Sequence, residues 1–417
     1  MNRLLSVVIV IFGTMIQLGA QVSTSSPYSR FGLGELQQNV FPQFNAFGGA
    51  SRAFSNPKII NASNPATYST FDSKSFLFST GGWHQTTRME NLSAEQIVNN
   101  NAFSHLVLGF PISSRFGASV GMMPYSSTGY QISIRDTEYN AEMDYYGDGG
   151  ISKIYFGAAY ELFKGFSFGG NASYLFGGLN RRKRLIYDDE SFLNSRSNSK
   201  INLKGYYYEL GVLYKKGLNE DEEFSIGIVA NNNPLIRAKK TELVESFQFV
   251  GFLEDPQDTF VNSTQWGYVS LPKYISAGIS YNKDQKWLFL ADYSTQDWSD
   301  YSMFNESDDL ANSMKMCAGI QYTPEYNSIT KYYKRIDYRI GASYVKTPLQ
   351  FADNQLKEMS ISFGFGIPLR KSRTKYDFAC TFGRRGTTKD NLIQESFVRL
   401  GLSISYDGIW FLKRKYD

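Results

Sequence analysis

The chain offers little that is arranged for bond-making chemistry. Its two histidines, His84 and His105, lie near predicted strands at a separation that matches no metal-site spacing. A serine nucleophile needs a histidine base that is itself positioned by an acid. Ser104 is next to His105 only in sequence, and neighbouring residues of a strand face opposite sides. Cys317 and Cys380 are the only cysteines, too few for a four-thiolate metal site. Cys380 shares the parity of Phe378 and Phe382 while Cys317 falls with Lys315 and Gly319, which argues against a disulfide between them. The expectation is a protein that is not an enzyme, with no catalytic residue, no metal and no cofactor.

What remains is binding chemistry. Phe31, Leu33, Phe41, Phe44, Phe47 and Phe54 precede the first predicted strand and run toward Asn64 and Pro65. Apolar side chains collected there would line an internal pocket, because an apolar ligand gains by leaving water. In a scaffold the same residues would only plug the interior. Arg181, Arg182, Lys183 and Arg184 lie at the root of an expected external loop, ahead of Asp188, Asp189 and Glu190. Such a cluster would grip lipopolysaccharide through charge-assisted bonds, with an ordinary solvated loop rim as the alternative. The run from Lys331 to Arg335 mixes charge with tyrosine and reads as an interfacial belt or a periplasmic turn. A net charge of only +4 implies no nucleic-acid partner.

The elements that must position these residues are strands. Met359, Ile361, Phe363, Phe365 and Ile367 alternate with Ser360, Ser362, Gly364 and Gly366, and the same division recurs over 398–406 and 275–281. One face is apolar and the other small and polar, as in a transmembrane β-barrel with lipid outside and a polar interior. The chain's 29 tyrosines, 32 phenylalanines and 36 glycines supply material for interfacial girdles and for turns. Sixteen candidate spans run from 73–85 to 395–407, including 114–123, 128–140, 222–231, 240–252 and 266–282; fourteen strands is the preferred count. Longer external loops are expected over 187–199, 254–258 and 301–312, and short periplasmic turns at Ser113-Ser114 and Lys164-Gly165.

Upstream, Asn2-Arg3, the apolar run from Leu4 to Ile16 and the exit Leu18-Gly19-Ala20 have the layout of a secretory signal peptide over 1–20. Residues 21–70 carry Gly, Asn and Pro punctuation and are expected to sit in the lumen as a hatch, where Arg30, Glu35 and Arg52 would meet polar wall residues; a free periplasmic tail is the alternative. The barrel is expected over 71–408, with a tail at 409–417.

Asn64-Pro65-Ala66, Leu108-Gly109-Phe110-Pro111, Leu271-Pro272 ahead of Tyr274, and Gly364-Phe365-Gly366-Ile367-Pro368 together resemble the FadL/OmpP1 family of outer-membrane proteins, in its Bacteroidota form. The resemblance implies a fourteen-stranded barrel in the bacterial outer membrane with an N-terminal hatch around Gly48 to Ala66. Some members carry fatty acids or other hydrophobic compounds, with a lateral opening in the wall as an exit. Others resemble a subunit of the type IX secretion machinery. The reading is a barrel that binds or transports a hydrophobic small molecule. The alternative is a non-transporting subunit or scaffold of an outer-membrane complex, in type IX secretion or outer-membrane assembly. Expected partners are membrane lipid and lipopolysaccharide, a hydrophobic ligand, and proteins of such a complex.

Overall fold

The computed structural model describes residues 24–37, 41–351, 354–370, 372–389 and 392–409. The expected leader and all of the expected tail except Ile409 lie outside them. Eighteen strands form one sheet: β1 (Glu35–Leu36), β2 (Ser75–Glu90), β3 (Glu95–Pro111), β4 (Phe116–Asp136), β5 (Ala141–Phe163), β6 (Phe166–Tyr187), β7 (Asn194–Gly217), β8 (Glu222–Asn231), β9 (Leu235–Val250), β10 (Leu253–Ser270), β11 (Lys273–Lys283), β12 (Trp287–Asp297), β13 (Ser302–Met303), β14 (Ser313–Tyr322), β15 (Asp337–Phe351), β16 (Asn354–Pro368), β17 (Thr374–Arg385) and β18 (Gln394–Ile409). Pairing of β18 with β2 closes the ring, and the ladders among the described residues, from β2–β3 round to β17–β18, are antiparallel.

Two strands are two-residue pieces, and two pairs are halves of one interrupted strand, which leaves a closed wall of fourteen. β7 pairs with β9 over its first half and β8 over its second, so β8 and β9 form a single wall strand broken at Asn232-Asn233-Pro234. β10 and β11 are likewise one strand broken at Leu271-Pro272, at the same height. Proline cannot donate to a ladder. Asparagine side chains fill the gap: Tyr274 N donates to Asn231 Oδ1 at 2.7 Å and Tyr208 N to Asn232 Oδ1 at 2.9 Å. The sixteen spans become fourteen because 114–123 joins 128–140 and 222–231 joins 240–252. The loop expected at 254–258 is instead part of β10, which with β9 forms a ribbon, and the loop expected at 187–199 is strand from Asn194.

Alternation sorts the wall as charge and hydration require. Ile361, Phe363 and Phe365 face out while Ser360, Ser362, Gly364 and Gly366 face in. The apolar outer band on β8 and β11, with Ile226, Ile228, Ile275 and Ile279, ends where those strands break, so the β9–β10 ribbon rises beyond it.

Residues 24–37 and 41–72 lie inside the ring of strands. They touch inward-facing groups on β3, β4, β6, β7, β8, β12, β14, β15, β16 and β18, which encircle them. Wall glycines permit this approach: a Cβ at Gly169 would lie 2.7 Å from Ala66 N, and one at Gly319 2.6 Å from Phe47 Cα. Short helical pieces begin at Ser26-Pro27 and Asn64-Pro65, where the side-chain oxygen of Ser26 or Asn64 caps and proline takes the first turn.

Candidate functional site

The lumen segment has an apolar centre. Phe41, Phe44, Phe47 and Phe54 are buried together with Tyr68 and Phe71, their ring centroids 5.3–6.3 Å apart along the chain of contacts from Phe41 to Phe47. Phe44, Phe47 and Phe54 thus pack on one another instead of bordering open space. Asn64 caps its short helix and donates to the Arg52 and Val212 carbonyls at 2.7 and 3.1 Å, and Pro65 lies against the Gly169 and Gly211 positions of the wall. Both residues hold the segment in place.

Two charged anchors tie the segment to the wall, and both engage residues the sequence did not single out. Arg385 of β17 meets Glu35 at 2.6 Å, Glu358 at 2.7 Å and Glu395 at 3.4 Å. Ser26 Oγ donates to Glu395 at 2.5 Å and Thr24 Oγ1 to Glu35 at 2.9 Å. On the opposite side Asp292 accepts from the backbone N–H groups of Ser51 and Arg52 at 2.6 and 2.9 Å, while Arg52 Nε donates to Ser276 at 3.1 Å. Arg30 lies 4.5 Å from the centroid of the Tyr145 ring. Partners on strands more than 200 residues away leave no local signature, so only the lumen members, Glu35 and Arg52, were legible.

Space remains beside this core. A cavity of about 200 Å³ lies between Phe31, Leu33 and Leu36 on the lumen segment and Val345, Pro348 and Phe397 on the wall, with Glu35, Glu358 and Arg385 at one edge. A second, of about 90 Å³, shares Leu36, Gln37, Tyr274 and Gln296 with the first and adds Phe41, Met123, Pro124 and Tyr125 on one part of its lining and Arg52, Lys153 and Glu209 on another. Of the residues expected to line a pocket, Phe31 and Leu33 border the first cavity and Phe41 the second.

The second cavity lies where the wall parts. β3 pairs with β4 only from Leu106↔Met122 to Pro111↔Gly117. Beyond Met122, β4 has a register irregularity at Pro124, and its freed edge takes the lumen segment as partner: Ser126 and Ser127 pair with Leu36 and Glu35, and Gln37 N donates to Tyr125 O at 2.9 Å. Ser29 Oγ accepts from Gly129 N at 2.9 Å and donates to Gly129 O at 3.0 Å. β4 therefore exchanges β3 for the lumen segment halfway up the barrel.

The basic run is divided by strand parity. Arg181 turns inward and donates to the Gly32 carbonyl at 2.8 Å. Arg182 faces out and donates to Asn198 at 3.0 Å, Lys183 is exposed, and Arg184 is held by Asp144 at 2.6 Å and Glu254 at 2.8 Å. The sequence reading that Ser104 and His105 face opposite sides is corrected. A bulge between Gly81↔His105 and Gly82↔Phe103 makes Ser104 the extra residue, and both side chains turn inward. Ser104 Oγ lies 2.8 Å from His105 Nδ1 and Ser79 Oγ 2.8 Å from Nε2, with the Phe41 ring 4.0 Å away. Among the described residues no carboxylate completes this group, and Ser104 and His105 are fully buried. Cys317 is buried and Cys380 lies on the outward face, both as free thiols.

No curated protein matches the chain in sequence. Among solved structures, the toluene transporter TodX of P. putida aligns with a TM-score of 0.63 at 14% identity, over 89% of this chain and 99% of that one. The toluene transporter TbuX of Ralstonia pickettii gives 0.59 at 16%, over 88% and 97%. The CymD monoaromatic hydrocarbon channel gives 0.59 at 16%, over 91% and 99%. At these identities the likeness is one of fold. A family model described as BamG matches residues 1–417.

Proposed function

We propose, from the geometry above, that this chain, which belongs to the BamG family, is a barrel of the bacterial outer membrane that binds a small apolar molecule and passes it out through the wall. The observation that carries this reading is the pair of adjoining cavities ending where β4 leaves β3. An apolar cavity of about 150 Å³ already accepts benzene, and the first cavity, about 200 Å³ and mixed in lining, has room for a molecule of one ring along its apolar part at Phe31, Leu33, Leu36, Val345 and Phe397. TodX, TbuX and CymD are described as carriers of such molecules, which supports the class of ligand without fixing it. The molecule enters beside Phe31, passes Leu36 and leaves near Met123 when β1 releases the edge of β4. Radiolabelled toluene is the probe. Phe31→Asp with Leu36→Asp is expected to abolish its uptake by cells while the barrel still folds, because a charge in the cavity penalises an apolar guest. Normal uptake by the folded double variant would overturn the pocket.

A second reading is a subunit of an outer-membrane protein complex, such as an assembly or type IX secretion machinery. The β9–β10 ribbon favours it. Among the described residues the second edge of β10 is engaged only at its end, by pairing at Val269 and Ser270 and by Phe304 N donating to Tyr268 O at 3.0 Å, and Phe252 and Leu253 are exposed at the tip. An unpaired strand edge with apolar ends is a template for another chain. Gentle purification from native membranes with mass spectrometry separates the readings: a bound apolar molecule without a stoichiometric protein supports transport, and stable protein partners without such a molecule support the complex.

A further inference from the structure

The outward cations of the tall side fall into two tiers. In the upper tier Arg184 and Arg196 are neutralised by Asp144, Glu245 and Glu254, with the Arg196–Glu245 contact at 2.6 Å. Nearer the apolar band, Lys200 and Lys204 on β7 and Arg237 and Lys239 on β9 share one face. Their neighbours Ile201, Leu203, Ile236 and Ala238 are buried toward the lumen, so these four cations point outward. Lys204 is directly opposite Arg237, and Trp266 directly opposite Lys239. Among the described residues none of the four has an ion-pair partner. Trp266 stands between them, 4.5 Å from the Arg237 guanidinium and 5.8 Å from Lys239 Nζ to its ring centroid. Immediately below, Tyr206 and Tyr208 are exposed, with Tyr174 edge-on to Tyr206 at 5.5 Å.

Aromatic rings mark the interface of a membrane barrel, so the lower tier lies at the height of lipid headgroups. Uncompensated like charges repel one another unless an anion lies between them, and the tier above shows that this surface neutralises its cations where no anion is at hand. We propose that Lys200, Lys204, Arg237 and Lys239, organised by Trp266, bind the phosphate groups of a phosphorylated lipid in the outer leaflet, whose acyl chains run down past Tyr206 and Tyr208. This rests on the outer-membrane placement. Lys200 and Lys204 are about 13 Å apart along the strand, which gives room for more than one phosphate. The Arg181–Arg184 run, chosen from sequence, contributes at most Arg182.

The test uses the full chain in detergent, titrated with a diphosphorylated glycolipid and with the same lipid after phosphatase treatment. The expected result is about tenfold or more tighter binding of the phosphorylated form, weakened by salt. A variant with Lys200→Gln, Lys204→Gln, Arg237→Gln and Lys239→Gln should lose that preference, with heat-dependent gel mobility reporting its folding. A variant changed to Gln at Lys331, Lys334 and Arg335 should keep it. Equal binding of the two lipids by the unaltered chain would overturn the site, whatever the variants do. Cell fractionation reports location separately: a chain absent from the outer membrane that still prefers the phosphorylated lipid would overturn the placement and uphold the site.

Discussion

From β14 through β18 the wall is a continuous ladder up to Lys346, and it carries the Arg385 anchor. From β3 to β11 the strands change partners midway: β4 leaves β3, β8 gives way to β9, and β11 to β10. The lumen segment is attached differently on the two sides. On the regular side it is held by buried charges around Arg385, and at β4 by backbone pairing and the Ser29 hydroxyl. A buried charge set is costly to break and backbone pairing at a strand edge is readily remade. With the Asp292 set on β12 as the second anchor, the difference assigns anchoring to the two charged sets and movement to the β4 edge.

The largest expected effect comes from breaking the anchored side. Arg385→Ala would leave Glu35, Glu358 and Glu395 without their common cation, a loss of about 3–5 kcal/mol for a buried pair. The lumen segment should come loose at that end while the strands stay paired. Ion conductance through the barrel in planar bilayers should rise; conductance equal to that of the unaltered protein would remove the anchor from the account.

A smaller effect is expected at the movable side. Gly34 has φ +85°, and a Cβ there would collide with Ser127 and Thr128 of β4. Gly34→Ala should cost about 1–3 kcal/mol of local strain and loosen β1 from β4. Amide exchange at 125–129 should quicken while 358–366 is unchanged, and quickening of both would show that the two sides are not independent.

The smallest effect concerns the ribbon. Burial works to raise the Glu254 carboxyl, but the hydrogen bonds and charges of Arg184 and Arg196 outweigh it and hold the group below its ordinary range. A carboxyl depressed on folding stabilises above its unfolded pKa, and that stability is lost as pH falls through the folded value. Exchange over 245–260, corrected for its intrinsic rate, should therefore be steady from about pH 7 to the ordinary Glu value of about 4.3 and quicken only below it. The change should be modest, since such partly exposed pairs contribute about 1 kcal/mol or less each. Quickening above that range would assign the ribbon's attachment to other groups.

The regular side was the legible one. Over 359–367 and 398–406 a strict period of two gives strand, face and neighbour, because nothing interrupts the ladder. On the irregular side the same rule misleads. Pro124 and Pro234 divide single strands into two apparent ones, and the bulge at Ser104 reverses a parity argument. The polar sequence of 254–258 reads as loop because its strand stands clear of the apolar band and needs no alternation. Within the site, Phe31, Leu33 and Phe41 could be found from their aliphatic and aromatic character ahead of the first strand. Arg385, Glu358, Glu395 and Asp292 could not, since a wall residue's partner in the lumen is set by closure of the whole ring.

On the proposed route an apolar molecule leaves only when β1 lets go of β4. Leu36 and Ser126 are direct cross-strand partners, a spacing that a disulfide spans. In a chain with Leu36→Cys and Ser126→Cys, oxidation should reduce toluene uptake by about tenfold or more and reductant should restore it. Full uptake with the bond formed would contradict the account.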